Sequence, residues 1–335
     1  MHAPNMTSAL GQAYAFNQHK GSRCDAYRKT LLSRPWRQRA TCRSGFVLRR
    51  EIFTAHAPRK KARTILSRHR PVQTQATQDQ RITQRCAEEL VQQHVHSNDV
   101  VGLGTGVLVN AVIECLAQKT TSGLLQGVRC IPASDVSASE AAFQGVPVTS
   151  LAEHPVVDVM FEEVDEIVVQ EPDLPFIAGR LAEPVQPNLL RMRALLSASK
   201  HKIVLIDGVE NTSARLRGVL PVLVDADYWE DIGEVLDDIF IPDAEIWRRS
   251  VAGYDPTDPR AISSPYLSAQ GHNVLDVKFY GPMKLFGDDA SYSSIAEEIE
   301  KQAGIITHGL FVNVANSAAM FTENGIQLFE SAAVV

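Results

Sequence analysis

From about residue 78 onward, apolar and polar positions alternate with a regular period. Ile82, Cys86, Leu90 and Val91 recur at helical spacing with charged and Gln residues between them, which predicts a first helix ending near His96. Ser97, Asn98 and Asp99 supply turn chemistry. Val100 to Leu103 then reads as a short apolar strand running into Gly104, Thr105 and Gly106, and a second helix follows with Val109, Val112, Ile113 and Leu116 on one face. Strand-like runs recur at Val128–Ile131, Val146–Val148, Val156–Met160, Glu166–Val169 and Ile203–Ile206, separated by helical stretches at Ser137–Phe143 and Leu189–Ser199. Strands alternating with helices imply βαβ units, hence a mostly parallel sheet with helices on both faces.

Past residue 220 the pattern changes. Nine acids from Asp225 to Glu245 precede the first basic residue, Arg248. They predict an acidic amphipathic helix that buries Ile232, Val235, Leu236, Ile239 and Phe240. A proline-rich loop spans Gly253–Pro265. Beyond it, Asn273–Phe279 reads as a strand, Ser291–Lys301 as a helix and Ile305–Asn313 as another strand, the alternation of a small α+β subdomain.

Charge separates a further segment. Residues 1–75 hold 16 of the 33 Lys and Arg but only Asp25 and Glu51 among the acids, so the formal net charge of −6 averages two segments of opposite sign. This leader has no apolar run long enough for a signal-peptide core or a membrane span. It reads as a disordered transit peptide; the alternative is a basic tail that binds nucleic acid or a membrane surface through Arg59, Lys60, Lys61 and Arg63. The three cysteines beyond it, Cys86, Cys115 and Cys130, have no CxxC or metal-ligand spacing and read as buried small hydrophobes. No metal or cofactor motif is present, and neither a nucleic-acid nor a membrane partner is expected for the remainder of the chain.

Two features carry chemistry. At Val101–Ile113 a strand, a Gly-Thr-Gly turn and a helix succeed one another. Glycines let backbone approach an anion, and amides at a helix N-terminus point toward it, so a phosphate fits there; a tight packing turn is the other reading. Glu162, Glu163, Asp165 and Glu166 form a carboxylate cluster after an apolar strand. It reads either as a solvated surface loop or as a site for sugar hydroxyls or proton transfer, where neighbouring carboxylates shift one another's pKa values.

Further pieces keep a fixed order: Ile131–Ser134, Gly145–Val148, His154-Pro155, Phe161–Ile167, Pro221–Val224, Asn273–Phe279 and Gly304–Phe311. With the glycine turn, they make residues 78–330 resemble type A ribose-5-phosphate isomerases, particularly the plant chloroplast forms. The resemblance implies an α/β fold, a Rossmann-like parallel sheet flanked by helices with a smaller α+β, ferredoxin-like subdomain. It divides the chain into a leader (1–75), an α/β domain (76–220 plus the C-terminal end) and the subdomain (221–312). It also implies a sugar phosphate partner such as ribose 5-phosphate, a homodimer and a plastid location, with the mitochondrion as alternative. The substrate-binding positions it implies are Gly102, Gly104, Thr105, Gly106, Ser134, Glu162 and Asp165.

Where the family has its reacting groups, this sequence departs. Val107 and Leu108 replace hydroxyl residues beside the turn, and Glu163 stands in place of the Gly of the family's DGADE loop. Ala178, Gly179 and Arg180 fall on the KGR loop, so its Lys is lost. After an insertion around Glu183–Pro187, the Glu of the REK motif falls on Met192, or on Arg193 if the register slips by one, and the Lys of the DxxK turn on Glu210 or Asn211. Neither a thioether nor a guanidinium can take a proton from carbon at neutral pH. None of the family's catalytic positions at Ala178, Met192 and Glu210 is therefore intact, and weak or lost isomerisation is expected. Two rival expectations are a working isomerase with Asp165 or Glu162 as base and Lys200 or Lys202 as cation, and a relative of the wider superfamily of glucosamine-6-phosphate deaminases and CoA transferases. Trp229 and Trp247, with Arg248 and Arg249, read either as a subunit contact or as ordinary core and surface residues.

Overall fold

The computed structural model describes residues 72–180 and 188–332, and the basic leader up to residue 71 and the Glu183–Pro187 insertion lie outside the described residues. In chain order the first elements are α1 (Val72–His94), β1 (Val100–Leu103), α2 (Val107–Thr121), β2 (Arg129–Pro132), α3 (Asp135–Gln144) and β3 (Val157–Glu163). Two short strands, β4 (Glu166–Ile167) and β5 (Phe176–Ile177), precede α4 (Leu189–Ala198) and β6 (Ser199–Asp207). Then come β7 (Arg217–Val224), α5 (Trp229–Phe240), β8 (Ala244–Arg248), β9 (Asn273–Pro282), α6 (Tyr292–Glu300) and β10 (Ile305–His308). The chain closes with β11 (Leu310–Phe311), β12 (Ser317–Thr322) and β13 (Gly325–Glu330).

The main sheet has the order β13-β12-β6-β3-β1-β2, parallel throughout except for β13. Alternation along its strands sorts side chains to two cores. Val101, Leu103, Phe161 and Leu205 face α1 and α2, meeting Cys86, Leu90, Val109, Val112, Ile113 and Leu116. Val100, Met160, Val204 and Ile206 face the other way, against Leu189, Met192, Leu195 and Leu196 of α4. Each such fully buried side chain contributes about 1.5–3 kcal/mol.

The second sheet, β10-β7-β9-β8, is antiparallel and carries α5 and α6 on one face. Its βαββαβ order is that of a ferredoxin-like unit. A third sheet, β11-β5-β4, joins the carboxylate loop to the segment after β10.

Local signals explain several boundaries. Ser134 caps α3, accepting from the Ser137 amide at 3.1 Å while the Ser137 hydroxyl bonds back to the Ser134 amide at 3.1 Å. Gly145 ends the same helix at φ 78°, a left-handed conformation that favours Gly. Glu230 and Asp231 lie in the first turn of α5, where the helix dipole favours acids.

Some expectations are corrected. Helix α1 starts at Val72 rather than near residue 78. Val146–Val148 forms no strand but a single bridge from Val148 to Cys130. Ile305–Asn313 is two strands in two sheets, because the chain turns at Gly309, whose missing Cβ leaves room for the Ala178 carbonyl and Pro221. Val235 is 38% exposed, so the buried stripe of α5 is Ile232, Leu236, Ile239 and Phe240. Of the two readings of Arg249, the core one holds: it is 4% exposed and makes a two-pronged pair with Asp276 at 2.6 and 3.0 Å.

Candidate active site

The C-terminal ends of β1, β2 and β3 meet at the glycine turn. The Gly104 amide donates to the Phe161 carbonyl at 2.8 Å, and the Ala133 amide donates to the Leu103 carbonyl at 2.7 Å. The Thr105 hydroxyl donates to Ser134 Oγ at 2.8 Å. Gly104, Thr105, Gly106 and Ser134 are thus brought together as the sequence implied. Gly102 lies within β1, where an added Cβ would come within 2.9 Å of the Met160 side chain, so packing by itself already calls for Gly there.

The carboxylates divide between two places. Glu166 turns away from the turn and binds Arg180 at 2.6 Å, the Ser213 hydroxyl at 2.6 Å and the Arg217 amide at 3.1 Å. Glu162 and Glu163 turn toward it. Glu162 is 1% exposed; its Oε1 accepts from the Thr105 amide at 3.1 Å, and its Oε2 is buried with no partner. Burial, with Glu163 and Asp165 adding like charge, pushes its pKa up to about 8 despite that amide. Its surroundings thus favour the protonated carboxyl, and the surface-loop reading of this residue does not hold.

Glu163 lies across the turn from α2. Its Oε2 accepts from the Leu108 amide at 2.6 Å, and the Val109 amide also favours its ionised form. Burial raises its pKa to about 7, reinforced by Asp207 and Asp165. Gly106, at φ 146°, has no Cβ because one would collide with this carboxylate. Glu163 itself has no positive φ, so its cost to the site is the space its side chain fills and not backbone strain.

Asp165 accepts from the Arg180 amide at 2.9 Å; burial raises its pKa, while the Arg180 and Arg249 charges oppose that rise. Those two arginines are the cations acting on Asp165, and the sequence did not single them out for that role. Lys200 instead pairs with Asp158 at 2.7 Å near the start of β3, and Lys202 sits in register with Met160, so neither serves the carboxylates as a substitute cation. Ser134, Asp135, Asn188, Arg249, Tyr266 and Ser268 line a cavity of about 140 Å³ beside the turn.

Among the departed positions, Ala178 is fully buried and its amide donates to the Gly309 carbonyl at 2.9 Å. Met192 is 1% exposed in the α4 core. The slipped alternative, Arg193, ties α4 to the β10–β11 turn, donating to the His308 carbonyl at 2.9 Å and the Leu310 carbonyl at 3.0 Å, with its guanidinium over the Phe311 ring. Glu210 is exposed in a turn beyond β6, where its charge raises the pKa of Asp207 in addition to burial. Among the described residues no cluster of His, Cys, Asp and Glu is placed to hold a metal ion, and no helix is long and apolar enough to cross a membrane.

A parallel sheet with a glycine turn at its C-terminal edge and a ferredoxin-like unit beyond it defines an α/β class in which small ligands meet strand ends. The chain belongs to the ribose 5-phosphate isomerase A (phosphoriboisomerase A) family, whose sequence model matches residues 129–325. It is 30% identical over 253 residues to ribose-5-phosphate isomerase A of Gluconobacter oxydans, covering 75% of this chain and 98% of that one. It is 25% identical over 288 residues to the probable ribose-5-phosphate isomerase 3, chloroplastic, of Arabidopsis thaliana, covering 85% and 96%. Among solved structures, the ribose 5-phosphate isomerase from Plasmodium falciparum superposes with a TM-score of 0.63 at 25% identity, covering 76% of this chain and 99% of that one.

Proposed function

We propose that this protein binds a phosphorylated open-chain sugar, ribose 5-phosphate by the names of its relatives, and interconverts it with ribulose 5-phosphate weakly or not at all. Moving a proton between C1 and C2 needs a base with a lone pair near neutral pH. The observation that carries the reading is Met192, a buried thioether packed in the α4 core at the position matched to the family's proton-transferring Glu. Ala178 and Glu210 at the two matched Lys positions leave an enediolate without its cations. Glu162, Asp165, Ser134 and the turn remain to hold sugar oxygens. Residues 1–75 act as a plastid transit peptide in this reading, supported by their composition and by the chloroplastic relative.

The test is a coupled assay of ribose 5-phosphate conversion by the full chain. Turnover far below about 1 s⁻¹ is expected, and a rate in the ordinary enzymatic range of roughly 1 to 10³ s⁻¹ would replace this reading with an active isomerase that uses Asp165 or Glu162. For the leader, a fluorescent reporter fused behind residues 1–75 should collect in plastids; diffuse cytosolic signal would count against the assignment.

A further inference from the structure

Glu163 makes at the turn the contacts an anion from solution would make. The N-terminal amides of α2 offer donors and the positive end of a helix dipole, and the Glu163 carboxylate takes the Leu108 amide at 2.6 Å. The glycine at 106 that opens space for a close oxygen has that space filled by the same carboxylate. A phosphoryl group approaching the turn would need these donors and this volume. Immediately beside it, Glu162 Oε2 is fully buried without a partner. A buried oxygen left unpaired calls for a polar neighbour that the protein itself does not supply.

We propose that Glu163 is a built-in anion that occupies the phosphate cradle of this protein and sets its ligand selectivity, so that a phosphorylated ligand gains the turn only when the Glu163 side chain is displaced. The inference deepens the reading above and rests on it for the identity of the sugar phosphate. An intramolecular competitor acts at a high effective concentration, so a weak external anion loses to it. The competition is proton-linked. The charges acting on Glu163 are Asp207 at the end of β6 and Asp165 in the loop after β3, both of like sign; its strand neighbour is Glu162, and the first turn of α2 has no acid. With its pKa pushed up to about 7, Glu163 becomes neutral in mildly acidic solution and then holds the helix amides less tightly.

Sulfate is a suitable probe because it stays a dianion across this range, and its binding to the full chain is read by titration calorimetry. At pH 8, Glu163→Gly and Glu163→Gln should bind sulfate at least about tenfold more tightly than the parent. From pH 8 to pH 6 the parent's affinity should tighten by about tenfold, as the fraction with a neutral Glu163 rises, whereas the variants should change little. In ¹⁵N–¹H spectra the Leu108 and Val109 amides should shift as sulfate is added to the variants. Melting curves verify that both variants are folded; should Glu163→Gly fail to fold, Glu163→Gln carries the comparison. Equal sulfate affinities of parent and folded variants at pH 8, or shifts that bypass Leu108 and Val109, would overturn the proposal. Turnover is a separate readout: an actively isomerising parent defeats the functional reading and leaves the sulfate comparison standing.

Discussion

Arg249 with Asp276, and Glu162 with Glu163, are two buried charge clusters handled in opposite ways. In the first, a guanidinium grips a carboxylate with two prongs at 2.6 and 3.0 Å and spends a further donor on the Gly179 carbonyl at 3.1 Å. Desolvation of both charges is offset within the cluster. In the second, carboxylates meet carboxylates, only backbone amides oppose them, and the pKa values rise to about 8 and about 7. The paired cluster ties the second sheet to the segment that leads into the site. The unpaired one stores an unfavourable ionisation at the end of the main sheet, which is where a protein can hold protons or ligands in play.

Giving the acidic cluster the groups it lacks should produce the largest effect. Glu163→Gly, Ala178→Lys, Met192→Glu and Glu210→Lys together should raise kcat/KM for ribose 5-phosphate by about 10² to 10⁴, the worth of a positioned base. Met192→Glu alone should gain little, because groups that act as one unit are non-additive. A single change that matched the quadruple variant would show that the other three positions are unimportant.

Breaking the paired cluster comes next. Arg249→Ala should cost about 3–5 kcal/mol in urea unfolding, since it leaves Asp276 buried and alone, while Arg249→Met with Asp276→Leu should recover most of the loss. A loss no larger for the single variant than for the double would mean the pair is not buried as a unit.

A smaller effect is the pH dependence of stability. The raised pKa values of Glu162 and Glu163 mean that the folded protein holds more protons than the unfolded chain above its ordinary value of 4.5. Their contribution is complete below that value and is lost as the pH rises through about 7 and about 8. Glu162→Gln should flatten this decline in melting temperature, and an unchanged slope would remove Glu162 as its source. His308 works with the opposite sign. Burial and Arg193 lower its pKa to about 3, so its contribution is present above the unfolded value of 6.5 and is lost on acidification toward 3.

Smallest of all, Lys200→Ala should leave the urea-unfolding midpoint almost unchanged, because its partner Asp158 and the ammonium are both solvent-accessible. A larger loss would show that pairing at the N-terminal strand ends matters as much as pairing inside.

The main sheet was legible because β1, β3 and β6 are apolar runs bounded by turn chemistry, and because the helices between them show clear stripes. β12 was not: Ser317-Ala-Ala-Met-Phe-Thr322 is Ala-rich and has little strand propensity. It forms a strand because it is buried beside β6 and paired by β13. β8 was hidden in the same way, since its acidic flank reads as an extension of α5 until β9 pairs with it.

At the site, the order of motifs named Gly104, Thr105, Ser134 and Glu162 as one group, and these residues lie side by side. What could not be read was direction. Adjacent strand residues ordinarily face opposite sides, yet both Glu162 and Glu163 reach the turn, one through Thr105 and the other through Leu108. The Arg249–Asp276 pair was equally hidden, because the two residues are brought face to face only when the Arg249 end of β8 comes alongside β9.

The pairing of β6 with β12 also bears on the order in which the chain can assemble. Ile203 meets Ser317 and Asp207 meets Phe321 in register, so the central strand waits for a partner more than a hundred residues downstream. Until that segment leaves the ribosome, β6 has an open edge next to an apolar face, the kind of surface that attracts other chains. α1 is a second latecomer by the same logic: Arg85 bonds the Glu323 carbonyl, and Cys86 Sγ lies 3.7 Å from the Thr322 carbonyl. α1, already packed against α2, therefore completes its contacts only after Thr322 and Glu323 have been synthesised.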